Sequence, residues 1–362
     1  MKELKCNICG KSFAADNLTE FDDRMLCDDC LRSETMFCDH CGTRIWADDN
    51  TGDDGHVLCQ RCFDDHYTTC THCGRVIHRS DAYYDDDEPY CHNCYVNHCD
   101  TRPIHDYYYK PDPIFYGKGT RFFGVELEVD DAGECDSSAE AVIDITGSDH
   151  IYCKHDGSLD DGFEIVTHPM TLSYHKDEMY WQEMLEKLKS MGYLSHQANT
   201  CGLHIHVNRD SLGETVIDQE ACIARILFFF EKHWDEMLKF SRRTNRQLQR
   251  WASRYGYHDN MFELLDRAKK GTCNGRYTCI NLENANTIEF RMFRGTLKYN
   301  TIIATLQLVN RVCEVAYSLS DDEMRAMSWT TFVTGCREPE LIQYLKERRI
   351  YVNEPITYEE EM

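Results

Sequence analysis

A chain of 362 residues has room for two or three domains, and a formal net charge of −24 suits it poorly to the phosphate backbone of DNA or RNA. No run approaches the roughly 18 apolar residues of a membrane helix, and the opening Met1-Lys2-Glu3-Leu4-Lys5 lacks the apolar stretch of a signal peptide. No membrane or nucleic-acid partner is expected, the expected location is cytoplasmic, and the 21 cysteines are read as metal ligands or thiols rather than disulfides.

Twelve of those 21 cysteines obey one spacing rule. Cys6-x-x-Cys9 is followed by 17 residues and then Cys27-x-x-Cys30. Cys38, Cys41, Cys59 and Cys62 repeat the pattern, as do Cys70, Cys73, Cys91 and Cys94, on a period of 32 residues. Such regularity means one structural unit copied in tandem, with modules expected over 1–34, 35–66 and 67–100. Each Cys-x-x-Cys turn aims two sulfurs at one ion, and two turns complete the tetrahedron that Zn²⁺ prefers.

Gly10, Gly42 and Gly74 follow the second cysteine of each first pair, where a positive φ lets N–H groups face the sulfurs. Phe13, Ile45 and Ile77 at one repeat position, and Leu26, Leu58 and Tyr90 at another, are the candidate core of each module. So small a core leaves metal binding to supply the folding free energy. His40, His56, His72 and His92 are surplus to four-coordination and are expected at the surface or behind the ligands. The first 100 residues carry 9 Lys+Arg against 21 Asp+Glu, and each four-thiolate zinc site adds about two negative charges. A basic or neutral protein partner fits such modules. They resemble zinc ribbons or LIM-like fingers, a likeness that implies protein docking; the plainer alternative is that they only stabilise or oligomerise the chain.

Residues 101–119, with Pro103, Pro111, Pro113, Gly117 and Gly119, read as a linker that packs partly on its neighbours, ahead of a domain over 120–362. Strands are expected at 121–130, 163–167, 202–208, 277–282 and 287–293, the last two joined by a turn at 283–286. Helices are expected at 174–191, 214–240 and 301–318, and Ser320 to Glu323 forms a capping box for a short one. The alternation is irregular, which indicates an α+β domain with a mixed or antiparallel sheet and helices on one face.

The chemistry sits at period two within apolar strands, because side chains at i and i+2 share a face. Glu126 and Glu128 project together, as do His204 with His206 and Glu289 with Arg291; Glu164 lies among apolar neighbours. Any one pair alone could be an ordinary amphipathic strand. If the faces converge, buried charge demands pairing or metal, and a donor set dominated by carboxylate oxygen favours Mg²⁺ or Mn²⁺. Arg276, Arg291 and Arg294 would supply positive charge for phosphate oxygens. No Ser-His-Asp order, P-loop or dinucleotide turn is visible. Gly157 is too weak a signal for a phosphate loop, and Cys201 reads as an inert buried thiol. Arg242, Arg243, Arg246, Arg250 and Arg254 form a basic stretch that reads as a solvated helix face or as an anion site.

Five segments in order, Phe123 to Glu128, Lys154 to Leu159, Glu164 to Pro169, Cys201 to Asn208 and Thr287 to Leu297, resemble the phage and bacterial amidoligase family. That resemblance implies the fold shared by glutamine synthetase and glutamate–cysteine ligase. It implies Mg²⁺ ligands at Glu126, Glu128, Glu164, His204 and Glu289, with Asp156 close by. It places His206 and Arg276 on nucleotide, and Arg291, assisted by Arg294, on the transferring phosphoryl group. The implied reaction is ATP-dependent: a carboxylate attacks the γ-phosphate and an amine captures the acyl phosphate, giving an amide, or an isopeptide bond if the zinc modules recruit a peptide or protein substrate. Two other readings stand beside it, a non-catalytic zinc-dependent adaptor and a metal-dependent hydrolase. ATP consumption separates ligase from hydrolase, and Mg²⁺-dependent nucleotide binding separates both from an adaptor.

Overall fold

The computed structural model describes residues 3–85, 87–98, 102–270 and 277–351. The chain divides into two compact units, Met1–Asp100 with Tyr108–Lys110, and Thr101–Tyr107 with Pro111–Met362.

In the first unit the three modules share one plan. A short antiparallel hairpin holds the first cysteine pair in its turn: Glu3–Lys5 with Ser12–Ala14, Thr35–Phe37 with Arg44–Trp46, and Tyr67–Thr69 with Val76–His78. The third cysteine immediately precedes a helix, Asp28–Glu34, Gln60–His66 or His92–His98, and the fourth lies within it. Gly10, Gly42 and Gly74 adopt φ of 70°, 71° and 72°, and each donates its N–H to the carbonyl of the module's first cysteine. Asp22 and Asp23 also take positive φ, 48° and 57°, closing the hairpin of Leu18–Phe21 with Arg24–Cys27 as a tight two-residue turn does. Leu26 and Leu58 are fully buried, and besides cysteines few other side chains in this unit are.

The second unit is built on a seven-stranded sheet. Its strands are β1 (Ile104–His105), β2 (Phe123–Val129), β3 (Ile151–Lys154), β4 (Phe163–Thr167), β5 (Gly202–Asn208), β6 (Ile280–Asn281) and β7 (Thr287–Arg294). The order is β1-β3-β4-β2-β5-β7-β6. Every pairing is antiparallel except β1 with β3, so the sheet is mixed. Its helices are α1 (Asp136–Thr146), α2 (Leu172–Asp177), α3 (Trp181–Ser190), α4 (Val216–Lys232), α5 (Trp234–Ser241), α6 (Asn245–Trp251), α7 (Met261–Lys269), α8 (Tyr299–Ser318), α9 (Asp321–Ala326), α10 (Trp329–Thr334) and α11 (Pro339–Glu347). Val125, Leu127 and Val129 of β2, Leu203, Ile205 and Val207 of β5, and Ile288 and Phe290 of β7 join α3, α4 and α8 in one buried core. That burial, at about 25 cal/mol per Å² of apolar surface, lets this unit stand on packing. None of the described helices is long and apolar enough to cross a membrane.

Four details differ from the expectation. Part of the stretch read as a linker forms β1, the sheet's edge strand. β3 carries too few alternating positions to announce itself. The helix expected at 174–191 is two, α2 and α3, because Met179 and Trp181 are both buried and two residues so spaced cannot share one helical stripe. The helix expected at 214–240 also breaks, at His233 (φ −106°, ψ 33°). There Lys232 Nζ donates to the carbonyls of Met324, Arg325 and Met327, fixing the helix end. The capping box predicted at Ser320 forms, Ser320 accepting from the Glu323 N–H and Glu323 from the Ser320 N–H.

Candidate metal centres and active site

The twelve spaced cysteines gather into three clusters of four. A tetrahedral ion with Zn–S of about 2.3 Å has S···S edges of about 3.8 Å. Cys9–Cys27, Cys41–Cys59 and Cys73–Cys91 are each 3.8 Å apart, Sγ to Sγ. Burial pushes the Cys6 thiol up, but the N–H groups of Cys27, Cys9 and Ile8 bring it down to about 6. Cys70 reaches about 6 by the same balance, with Cys73, Cys91 and His72 donating. The backbone favours thiolate at these first cysteines, the form that binds metal, while burial and the neighbouring sulfurs push the fourth cysteines, Cys30, Cys62 and Cys94, up. Spacing, edge length and donor chemistry agree on three zinc modules.

The second centre is one face of the sheet. Glu126 pairs in register with His204, Glu128 with Glu164, and His206 with Glu289. Lys154 lies across from Glu164, and Asn281 across from Glu289. Four neighbouring strands therefore bring all six predicted residues onto one patch. Glu128, Glu164, His204 and Glu289 are only 3–5% exposed. His204 Nδ1 lies 3.1 Å from Glu126 Oε2 and 3.7 Å from Glu289 Oε1, and its Nε2 lies 3.7 Å from Glu128 Oε1. His206 Nε2 sits 3.0 Å from Glu126 Oε1. Glu126, Glu164 and His204 form one group of atoms able to share an ion; Glu126, His206 and Glu289 form another.

Burying carboxylates side by side has visible electrostatic consequences. Burial pushes the Glu164 carboxyl well above its ordinary range, the charge of Glu126 adds to this, and Lys154 at 3.1 Å only partly opposes it. Burial also raises Glu128, against the pull of His204. Glu126 goes the other way: burial would raise it, but His206 and His204 hold it well below the usual carboxylate range. Burial would lower His206, yet Glu126 raises it. The patch is short of positive charge at the Glu128–Glu164 side, where a hard cation would relieve it.

Arginines frame the patch unequally. Arg291 donates to Glu289, and its Nε is buried with no partner among the described residues. A bulge places it: the single residue His204 on β5 faces both Arg291 and Met292 on β7, an irregularity suited to re-aiming a side chain. Arg243, inside the basic stretch, is the residue that sequence reasoning undervalued. It is buried, donates from Nε and Nη2 to the Phe293 carbonyl at 3.2 and 3.1 Å, and lines a cavity of about 40 Å³ with Glu128, Asp156, Ser158, His204 and Arg291. Burial lowers it to about 10, against the charge of Glu128. Its only forewarning was its membership of the Arg run. The rest of that run divides: Arg254 pairs with the buried Glu231 at 2.8 Å, while Arg246 and Arg250 are exposed.

Gly202 makes this corner compact. Its N–H donates to Glu128, and a Cβ there would meet His204 Nε2 at 2.6 Å and Arg243 Nη2 at 2.7 Å. Asp130, just past β2, accepts from the Asp160 and Asp161 N–H groups and from Thr200 Oγ1, so it ties the turn after Asp156 to the cavity wall. Arg294 faces Gly202 in register, on the same sheet face as His204, but it does not line the cavity; burial and then the charge of Arg242 lower it. Arg276 lies outside the described residues. Cys201 is buried, and burial pushes its thiol far up, consistent with an inert role.

No curated protein matches the chain. A family model described as "Putative amidoligase enzyme" matches residues 126–313, more than half of the chain, beginning at the first glutamate of the patch and spanning β2 to β7 and most of α8. The chain belongs to the amidoligase family.

Proposed function

We propose that the second unit is an ATP-dependent carboxylate–amine ligase acting through an acyl phosphate. The observation that carries this reading is the row of buried carboxylates, with Glu128 directly opposite Glu164. Like charges facing each other across two strands destabilise a sheet, so such a row is retained for a cation. Glu126, Glu128, Glu164, His204 and Glu289 supply the oxygen-rich donor set for Mg²⁺, with Asp156 near at hand on the cavity wall. Bound Mg²⁺ would neutralise phosphate charge and orient the triphosphate.

The remaining steps belong to the chain's own side chains. Arg291, which donates to Glu289, would face the transferred phosphoryl group, and Arg243 offers a second guanidinium from the same cavity. Glu126 raises the proton affinity of His206, which would face nucleotide phosphate. A substrate carboxylate oxygen attacks the γ-phosphorus, the bond to the leaving β-phosphate oxygen breaks, and ADP departs. The amine nitrogen then attacks the acyl carbon, loses a proton to solvent, and expels phosphate. Kinship of the sheet with glutamine synthetase and glutamate–cysteine ligase is part of the same proposal. The acidic zinc modules would recruit a basic or neutral peptide or protein substrate, in a cytoplasmic setting.

The test is ADP release from Mg²⁺ and ATP across pools of amino acids, polyamines and peptides. ADP is expected only when a carboxylate and an amine are both supplied, with loss of at least 100-fold in Glu126→Gln and Arg291→Ala. A wild type that binds no nucleotide in the presence of Mg²⁺ contradicts the reading.

A further inference from the structure

The three modules are not equivalent where they meet. Between the first and second, Trp46 packs edge-on against Phe21 at 5.0 Å, and its Nε1 donates to Asp22 Oδ2 at 2.8 Å. Between the second and third, imidazoles gather instead. The rings of His40 and His66 are 4.3 Å apart, and His78 lies 6.2 Å from each. Tyr67 stands edge-on to His40 and His78, with its hydroxyl 3.4 Å from His40 Nδ1.

The repeat allows the two junctions to be compared position by position. His40 stands two residues after its module's first cysteine, where the first module has Ile8. His66 stands four after the last cysteine, where the first module has Glu34. His78 stands eight after the third module's first cysteine, where the second has Trp46. The third module carries histidine at the first two of these positions as well, His72 and His98, so His78 is the substitution that sets this junction apart. None of them is a ligand of the thiolate clusters.

We propose that His40, His66 and His78 form a fourth metal site, for a borderline divalent ion such as Zn²⁺, clamping the second module to the third. Three imidazoles suit zinc, and a fourth position is left for water. Zinc–nitrogen bonds of about 2.0–2.1 Å in a tetrahedron place ring centres about 5 Å apart, within the 4.3–6.2 Å span of the cluster. The rings lie nearly parallel, 4–18° between planes. Convergence of their nitrogens requires rotation about χ2, a broad torsion, and His40 and His66 are exposed enough to rotate. Backing groups are in place. His78 Nδ1 accepts the Ser80 N–H at 3.3 Å and lies 2.7 Å from Ser80 Oγ, so metal binding at Nε2 requires the ring proton to move to Nδ1, with the hydroxyl accepting it. The Tyr67 hydroxyl does the corresponding service at His40. A divalent cation also finds favourable ground in the first 100 residues, with 21 acidic and 9 basic side chains.

The test uses the full chain and zinc alone. Protein loaded with excess Zn²⁺ and freed of unbound metal is assayed by elemental analysis. Wild type should hold one zinc per chain more than the His66→Gln/His78→Gln double variant, with the thiolate zinc unchanged; equal contents overturn the proposal. A second measurement needs no variant. In wild-type protein holding its thiolate zinc, added Zn²⁺ should slow diethyl pyrocarbonate acylation of His40, His66 and His78 together by at least tenfold, read by peptide mass spectrometry. Unchanged acylation at all three overturns it as well.

Discussion

The two halves of this chain use metal-binding side chains in opposite ways. In the cysteine unit the ligands make the fold. Few other side chains are fully buried, and each module's core is a handful of apolar side chains around its sulfurs. In the sheet unit the fold precedes the ligands. A large apolar core fixes β2, β4, β5 and β7, and the carboxylates are carried on the opposite face at an electrostatic cost visible at Glu128 and Glu164. On the proposed reading, one unit needs its ion in order to fold, and the other tolerates a destabilising patch in order to bind one.

The largest effect that would break this contrast is metal removal. Structural zinc contributes about 10–16 kcal/mol of apparent binding free energy per site. A thiol-competent chelator should therefore abolish amide protection throughout the first hundred residues while leaving β2, β5 and β7 protected. Hydrogen exchange followed by peptide reads both halves at once, and simultaneous loss of protection in both would erase the distinction.

Acid should pick out the other unit. His175 is fully buried with Nε2 on the Phe123 carbonyl, and burial lowers it to about 4. Below pH ~6.5 the unfolded chain takes up this proton and the folded chain does not until about pH 4. Stability should thus fall as pH drops through that window, by on the order of 3 kcal/mol. His175→Gln, which keeps a donor for Phe123, should flatten that part of the denaturation-versus-pH curve; an unchanged slope would assign the acid sensitivity elsewhere.

Gly202→Ala probes how tightly the site corner is built. Its methyl would press on His204 and Arg243, and overpacking of this kind costs about 1–3 kcal/mol. Chemical denaturation should show that loss together with weaker Mg²⁺ binding, whereas a neutral result would mean the corner yields freely. The smallest change is Glu128→Gln. It removes one of two opposed charges and keeps an acceptor for the Gly202 N–H, so without divalent metal it should raise stability by about 1 kcal/mol.

The contrast also explains what was legible beforehand. Zinc ligands announce themselves because both halves of each site lie within 25 residues at a fixed spacing. In the sheet unit β4 and β5 match the expected ranges, and side-chain parity put Glu126 with Glu128 and His204 with His206. Parity does not give strand order or register, so the facing of Glu128 and Glu164 and the bulge at Arg291 had to come from three-dimensional pairing. Arg243 was hidden for another reason: a guanidinium in a polar run looks solvated, and only tertiary packing buries it. Arg294, read as an assistant to Arg291, shares the sheet face of Gly202 and His204 but stays out of the cavity. The histidines His40, His66 and His78 are far apart in sequence and meet only because one module stacks on the next.

The central claim is that the opposed glutamates exist to hold a divalent cation. Its most direct test is the thermal unfolding of the sheet unit within the full chain, with and without millimolar Mg²⁺ and ATP, in wild type and Glu128→Gln. A ligand at 100 times its Kd stabilises by about 2.7 kcal/mol. The account predicts a rise of several degrees in wild type and little or none in the variant. Equal midpoints with and without Mg²⁺ and ATP in the wild type, or an equal rise in both proteins, would contradict it.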